Sequence, residues 1–170
     1  MLTSYVLESI RPKTIDRAYT LLKMIGTPIT LLEWREFCQS VSPPRIRNDP
    51  PGDREEIVVA LNIHGYVKGL SIYAIRDHRT YGRLLDVPFF ISASAADAEG
   101  VAVELLGFIH AKCNHSNCSG IRFWSMGPET WRRRFNAEDI QRTDHGLFIP
   151  AQPSADGMEK LLGAHTIGNA

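Results

Sequence analysis

The sequence predicts an α/β fold, a mixed and mostly antiparallel central sheet flanked by helices, with a parallel β-α-β unit at its centre. Three observations predict it. First, the stretch from Arg83 to Ser125 reads as an apolar run, a loop of small residues, an amphipathic run and a second apolar run. Second, β-rich segments separated by short polar turns precede that stretch, and strands joined so closely pair antiparallel. Third, two runs with helical spacing lie between the first strand and those segments, so helices are available to cover the sheet.

In chain order, Tyr5-Val6-Leu7-Glu8-Ser9-Ile10 alternates well enough for a first strand, and Pro12 limits its continuation. A helix follows with Thr14 as N-cap, Asp16 in its first turn, an apolar stripe of Ala18, Leu21, Leu22 and Ile25, and Gly26 as the left-handed stop. Thr30-Leu31-Leu32-Glu33 is a capping box, which opens a second helix whose Leu31, Trp34, Phe37, Cys38 and Val41 point one way. The proline-rich segment from Ser42 to Asp53 is a loop, and its Arg45, Ile46 and Arg47 either line a cleft or face water. Ile57 to Asn62 and Tyr66 to Ile75 form a hairpin around His64-Gly65, and Arg76 to Gly82 is the next polar turn.

The central unit starts with Leu84-Leu85-Asp86-Val87-Pro88-Phe89-Phe90-Ile91, where Pro88 forbids one ladder bond and predicts a bulge or a strand edge. The small residues from Ser92 to Gly100 lead into a helix carrying Val101, Ala102, Leu105, Leu106 and Ile109, and Gly120-Ile121-Arg122-Phe123-Trp124 is the strand beyond it. These two strands are expected to lie parallel through a right-handed crossover. The loop that leaves the first of them brings backbone N–H groups to a helix N-terminus, a natural seat for an anion. A short helix from Met126, carrying Trp131 to Phe135, and a last strand at Gly146 to Ile149 complete one domain over residues 1–150. The tail, 151–170, is polar and expected to be loosely attached.

Composition restricts the function. With 19 basic and 19 acidic residues, the 170-residue chain has no net charge to attract nucleic acid or an anionic membrane. Arg132, Arg133 and Arg134 are adjacent, so on a helix they diverge, and no aromatic platform accompanies them; no nucleic-acid partner is expected. No apolar run is long enough to span a membrane. Cys38, Cys113 and Cys118, without a charged and apolar leader, point to reduced thiols and a cytoplasmic protein. His110, Cys113, His115 and Cys118 are chemically able to bind zinc, but a chain with a full core needs no such staple, and no metal is expected. Asp86 interrupts an apolar strand and is the candidate general base, with surface exposure on the alternating side as the other reading. His64 and His78 sit in turns and are candidates to assist it.

The order of elements from Leu7 to about Pro150 resembles the GNAT acyltransferase superfamily. Leu7-Glu8-Ser9-Ile10-Arg11-Pro12 followed by Asp16 looks like that family's opening, and its pyrophosphate motif falls on Asp97-Ala98-Glu99-Gly100-Val101-Ala102. Gly100 and Ala102 match the motif, whereas Asp97 stands where the family has a basic or amide side chain. The resemblance implies an N-acyltransferase that moves an acetyl group from acetyl-CoA, or another acyl-CoA, to a small-molecule or peptide amine by direct attack. It also implies that backbone amides around Ala98 to Ala102 hold the pyrophosphate and that Phe90, Ile91 and Ser92 align pantetheine.

Two departures matter. A carboxylate about 6 Å from a pyrophosphate costs on the order of 1–3 kcal/mol, so Asp97 and Glu99 weaken such a site unless they serve as caps of the first helical turn. The family's acid tyrosine is absent from Trp131-Arg132-Arg133-Arg134-Phe135, where Arg132 takes the corresponding place; it can stabilise a thiolate by charge but, with a pKa above about 12, cannot protonate it. The second functional reading is therefore a catalytically weak or inactive ligand-sensing or dimerising module, and a homodimer is compatible with both.

Overall fold

The computed structural model describes residues 5–24, 27–41, 54–93, 97–124, 141–143 and 146–151. Its elements run β1 (Val6–Ser9), α1 (Pro12–Met24), α2 (Leu31–Val41), β2 (Glu55–Leu61), β3 (Val67–His78), β4 (Gly82–Ser92), α3 (Ala98–His115), β5 (Gly120–Trp124), β6 (Gln141–Thr143) and β7 (Gly146–Pro150). The strands form one sheet in the order β1-β2-β3-β4-β5-β7-β6. Only β4 and β5 pair in parallel among the described strands; every other neighbouring pair is antiparallel. The mixed sheet with its parallel unit at the centre is thus as expected from the sequence, while β6 had no signal of its own.

Local chemistry sets the two helices of one face. Pro12 opens α1 instead of merely ending β1, because a proline at the first helical position loses no hydrogen bond. Thr14 is therefore not the N-cap. It lies two residues further in, and its hydroxyl accepts from the Arg11 N–H at 3.0 Å. Asp16 also falls outside the first turn and instead pairs with Arg35 of α2, through Nε at 2.8 Å and Nη2 at 2.5 Å. That guanidinium holds the Asp16 carboxyl below its ordinary pKa. The capping box is present as expected: Glu33 accepts from the Thr30 N–H at 2.7 Å, and the Thr30 hydroxyl accepts from the Glu33 N–H at 3.2 Å. Trp34 is fully buried, and its indole N–H donates to the Ile15 carbonyl at 2.8 Å, locking α2 onto α1.

Two apolar layers separate the faces. Ala18, Leu21, Leu22, Trp34 and Cys38 pack with Ile57, Val59, Leu70, Ile72 and Ile91. On the other side Val101, Leu105, Leu106, Ile109 and Cys113 of α3 pack with Val58, Ala60, Tyr73, Leu85, Val87, Ile121 and Phe123. Burial on both faces explains why β2 reads as a continuous apolar run. Gly69 admits α3 to the sheet: an added Cβ there would lie 2.5 Å from Val101 Cγ1 and 3.1 Å from the Ile91 carbonyl oxygen.

The bulge expected at Pro88 is present. Ala74 pairs with Asp86 but Ile72 pairs with Phe89, so Val87 and Pro88 together oppose Tyr73. The extra residue reverses the alternation. Leu85 and Val87 face α3 before the bulge, whereas Phe89 and Ile91 face α1 and α2 after it.

Candidate functional site

The site is built where β4 and β5 part. Their parallel ladder runs from Leu84 with Gly120 to Val87 with Phe123 and, among the described residues, stops there. Pro88 follows at once, and a residue without N–H cannot extend the ladder. From Phe89 to Ser92, β4 pairs with β3 and, among the described residues, with no other strand. The β5 side of this stretch, the wedge, has no ladder partner among the described residues, and the Phe90 and Phe123 rings meet there edge-on at 5.6 Å. Beyond the wedge, β4 leads toward the N-terminus of α3.

That N-terminus carries its own anion. Asp97 is the N-cap of α3, and its Oδ1 accepts from the Gly100 N–H at 2.8 Å. Tyr5 Oη donates to Oδ2 at 3.2 Å, so the carboxylate is held from β1's end of the sheet as well. Gly100 is required by this arrangement, since a Cβ would fall inside the radii of the Asp97 carboxylate atoms. Glu99 is in the first turn, where it complements the helix dipole. The first amides of a helix have no intrahelical acceptor, and Asp97 covers one of them. Ala98 and Glu99 are exposed, while Val101 and Ala102 are buried against the sheet. Phe90 and Ser92 line the parting strand, and the Ser92 hydroxyl donates to the Ala98 carbonyl at 2.5 Å, tying the strand end to the helix start. Ile91 faces the opposite layer.

Asp86 is neither a solvent-facing residue nor an unengaged base. It is 7% exposed and sits directly across the ladder from Arg122. Arg122 Nε donates to Oδ1 at 2.7 Å and Nη2 to Oδ2 at 3.1 Å, and the Trp124 indole N–H donates to Oδ1 at 2.8 Å. The guanidinium carbon stands 5.0 Å from the Trp124 ring centroid, so cation and ring stack while both hold the same carboxylate. Such a fork fixes the strands at the point where they diverge. Arg122 and Trp124 were missed from sequence, although a signal existed: Asp86 and Arg122 are single opposite charges in two otherwise apolar strand centres.

The remaining candidates separate. His64 is exposed on the β2–β3 turn, and His78 closes the β3–β4 turn by accepting from the N–H groups of Thr80 and Tyr81 at 3.2 and 3.3 Å. Cys113 and Cys118 are buried near each other, with Cys113 Sγ 3.9 Å from the Cys118 carbonyl oxygen, and burial pushes the Cys113 thiol up to about 12. His110 is half-buried, which lowers its pKa, whereas His115 faces solvent. Among the described residues no group of three or more such side chains is placed to hold a metal ion. No helix among them is long and apolar enough to cross a membrane. Arg132 and the helix expected around it, Ile25 and Gly26, Arg45 to Arg47, and the tail from 152 onward lie outside the described residues.

Solved structures superpose on the chain over most of its length. One is glucosamine-6-phosphate N-acetyltransferase from Arabidopsis thaliana, with TM-score 0.60 at 13% identity over 83% of this chain and 97% of that one. This chain has the GNAT fold. An aminoglycoside N-acetyltransferase in complex with CoA superposes with TM-score 0.59 at 11% identity, covering 77% of this chain and 82% of that one. A match of a different description is a transcriptional regulator from Bacillus halodurans, with TM-score 0.59 at 16% identity over 84% and 99% of the two chains. A scan against protein-family models and a search of curated proteins find no match.

Proposed function

We propose that the chain is an acyl-CoA-dependent N-acyltransferase, and that the wedge between β4 and β5 seats the thioester arm. The observation that carries the proposal is the end of the β4–β5 ladder at Val87, after which β4 runs on to Ser92, which bonds Ala98 at the N-terminus of α3. Pantetheine would lie along Phe90, Ile91 and Ser92, and a backbone N–H there would polarise the thioester carbonyl as charge develops on its oxygen. The diphosphate would sit at the first turn of α3, from Ala98 to Ala102, where backbone donors do not depend on side-chain identity. To use the Gly100 N–H it must displace Asp97 Oδ1, while Asp97 Oδ2 still accepts from Tyr5. The amine nucleophile attacks the carbonyl carbon, the carbon–sulfur bond breaks, and the CoA thiolate leaves. The proton lost by the ammonium goes to a base on the α1/α2 face.

Asp86 is on that face, as the counter-ion that orients Arg122 and Trp124, and it takes the proton only through the acceptor capacity those donors leave. Arg132 would stabilise the departing thiolate by charge. Acetyl-CoA is the donor proposed, the acceptor a small-molecule or peptide amine, and the compartment the cytoplasm. A second reading has one specific observation in its favour. Asp97 already supplies the anion that a helix N-terminus attracts, as expected of a module that keeps the fold without the reaction. Calorimetric titration with acetyl-CoA and free CoA separates the two. The transferase reading expects saturable one-to-one binding below millimolar ligand, and it fails if neither ligand gives heat or a thermal shift at millimolar concentration.

A further inference from the structure

On the α1/α2 face, a cavity of about 200 Å³ lies between the helices and the bulged part of β4. Trp34 and Phe37 of α2, Ile72 of β3 and Phe89 of β4 form its apolar walls, Pro88 borders the wedge, and Glu55 supplies the carboxylate. Phe89 reaches this face only because the bulge reverses the alternation of β4. The cavity and the wedge thus share Pro88 and Phe89, so a ligand in one is adjacent to a ligand in the other.

We infer that this cavity takes a small primary amine with an apolar body about the size of one aromatic ring. The inference rests on the transferase reading for its consequence, since the amine would be the acyl acceptor, but not for the binding itself. Size and charge both point the same way. An apolar cavity of about 150 Å³ accommodates benzene, so about 200 Å³ admits a ring and a two-carbon tether but not a nucleotide or a disaccharide. The carboxylate of Glu55 is the complement of an ammonium group. Arg76 Nη2 is 3.8 Å from Glu55 Oε1, beyond hydrogen-bonding distance, so the ion pair leaves the carboxylate able to accept from an ammonium. A polyamine would leave the apolar walls unfilled. A peptide would need donors and acceptors for its backbone, which the lining, apart from Glu55 and Thr27, lacks.

The test is ligand binding by calorimetry or ligand-observed NMR, without any CoA, using phenethylamine, its neutral analogue 2-phenylethanol, spermidine, and a pentapeptide beginning with Phe. Phenethylamine is expected to bind most tightly, and Glu55→Gln to weaken it about tenfold while leaving 2-phenylethanol unchanged. Equal affinity of the wild type and Glu55→Gln for phenethylamine overturns the inference, as does tighter binding of spermidine or the peptide. Amine binding without acetyl-CoA binding would remove the transferase reading and leave the cavity assignment standing. Acetyl-CoA binding without binding of any of these amines would do the reverse.

Discussion

Asp97 and Asp86 are the carboxylates of the proposed site, and both are already engaged within the protein. Asp97→Asn keeps a side-chain oxygen able to cap Gly100 and removes one negative charge beside the proposed diphosphate. The expected result is CoA affinity raised about fivefold, roughly 1 kcal/mol, with urea stability changed by less than about 0.5 kcal/mol. Removing Arg122 by Arg122→Met leaves Asp86, among the described residues, with the Trp124 indole as its donor, and the cost is expected at about 2–3 kcal/mol in chemical denaturation because the pair is mostly buried. Sequence made Asp97 legible as either a cap or a poor phosphate neighbour, since both readings follow from an acid at a helix start. Asp86 was legible as an anomaly in an apolar strand, but its partner depends on parallel register, which no local pattern sets. Thr14 shows the same limit at smaller range: it lies inside α1 and its hydroxyl reaches back to the Arg11 N–H, because Pro12 starts the helix earlier than the polar pattern suggests.

At the scale of elements, the β4 bulge and the approach of α3 shape the wedge. The bulge was readable because proline removes an N–H wherever it stands, and its effect follows from a period of two. Gly69 was not readable, since a glycine in a strand has several uses and only the packed helix shows which one applies. Gly69→Ala places a methyl group against Val101, Leu105 and the Ile91 carbonyl, all fixed in the core, so destabilisation of about 1–3 kcal/mol is expected, measured by urea unfolding. The capping box of α2 and the span of β5 match their sequence readings because each rests on contacts within a few residues. β6 is three residues long and is defined only by its pairing with β7, so it left no periodic trace.

For the whole molecule, the two apolar layers hold thiols whose ionisation opposes folding. Burial pushes Cys38 and Cys113 from 9.0 up to about 12. Between those values the unfolded chain releases thiol protons that the folded chain keeps, so stability is full below about pH 9 and falls as pH rises toward 12. The slope approaches about 1.4 kcal/mol per pH unit for each thiol, measurable as falling urea midpoints, and neither thiol should react with iodoacetamide near neutral pH while the chain is folded. The overall sheet was legible because hydrophobic periodicity and loop lengths determine which strands are neighbours, whereas the cavity was not, because residues from five separate elements line it. Acyl-CoA is proposed to occupy the wedge between β4 and β5 and the first turn of α3. An NMR titration with CoA, with backbone amides assigned, tests it most directly. The amides of Ala98 to Ala102 and of Phe90 to Ser92 are expected to shift together and saturate at one equivalent, the Gly100 resonance reporting its exchange of Asp97 for phosphate; saturating shifts confined to other surfaces, with these amides unmoved, would contradict it.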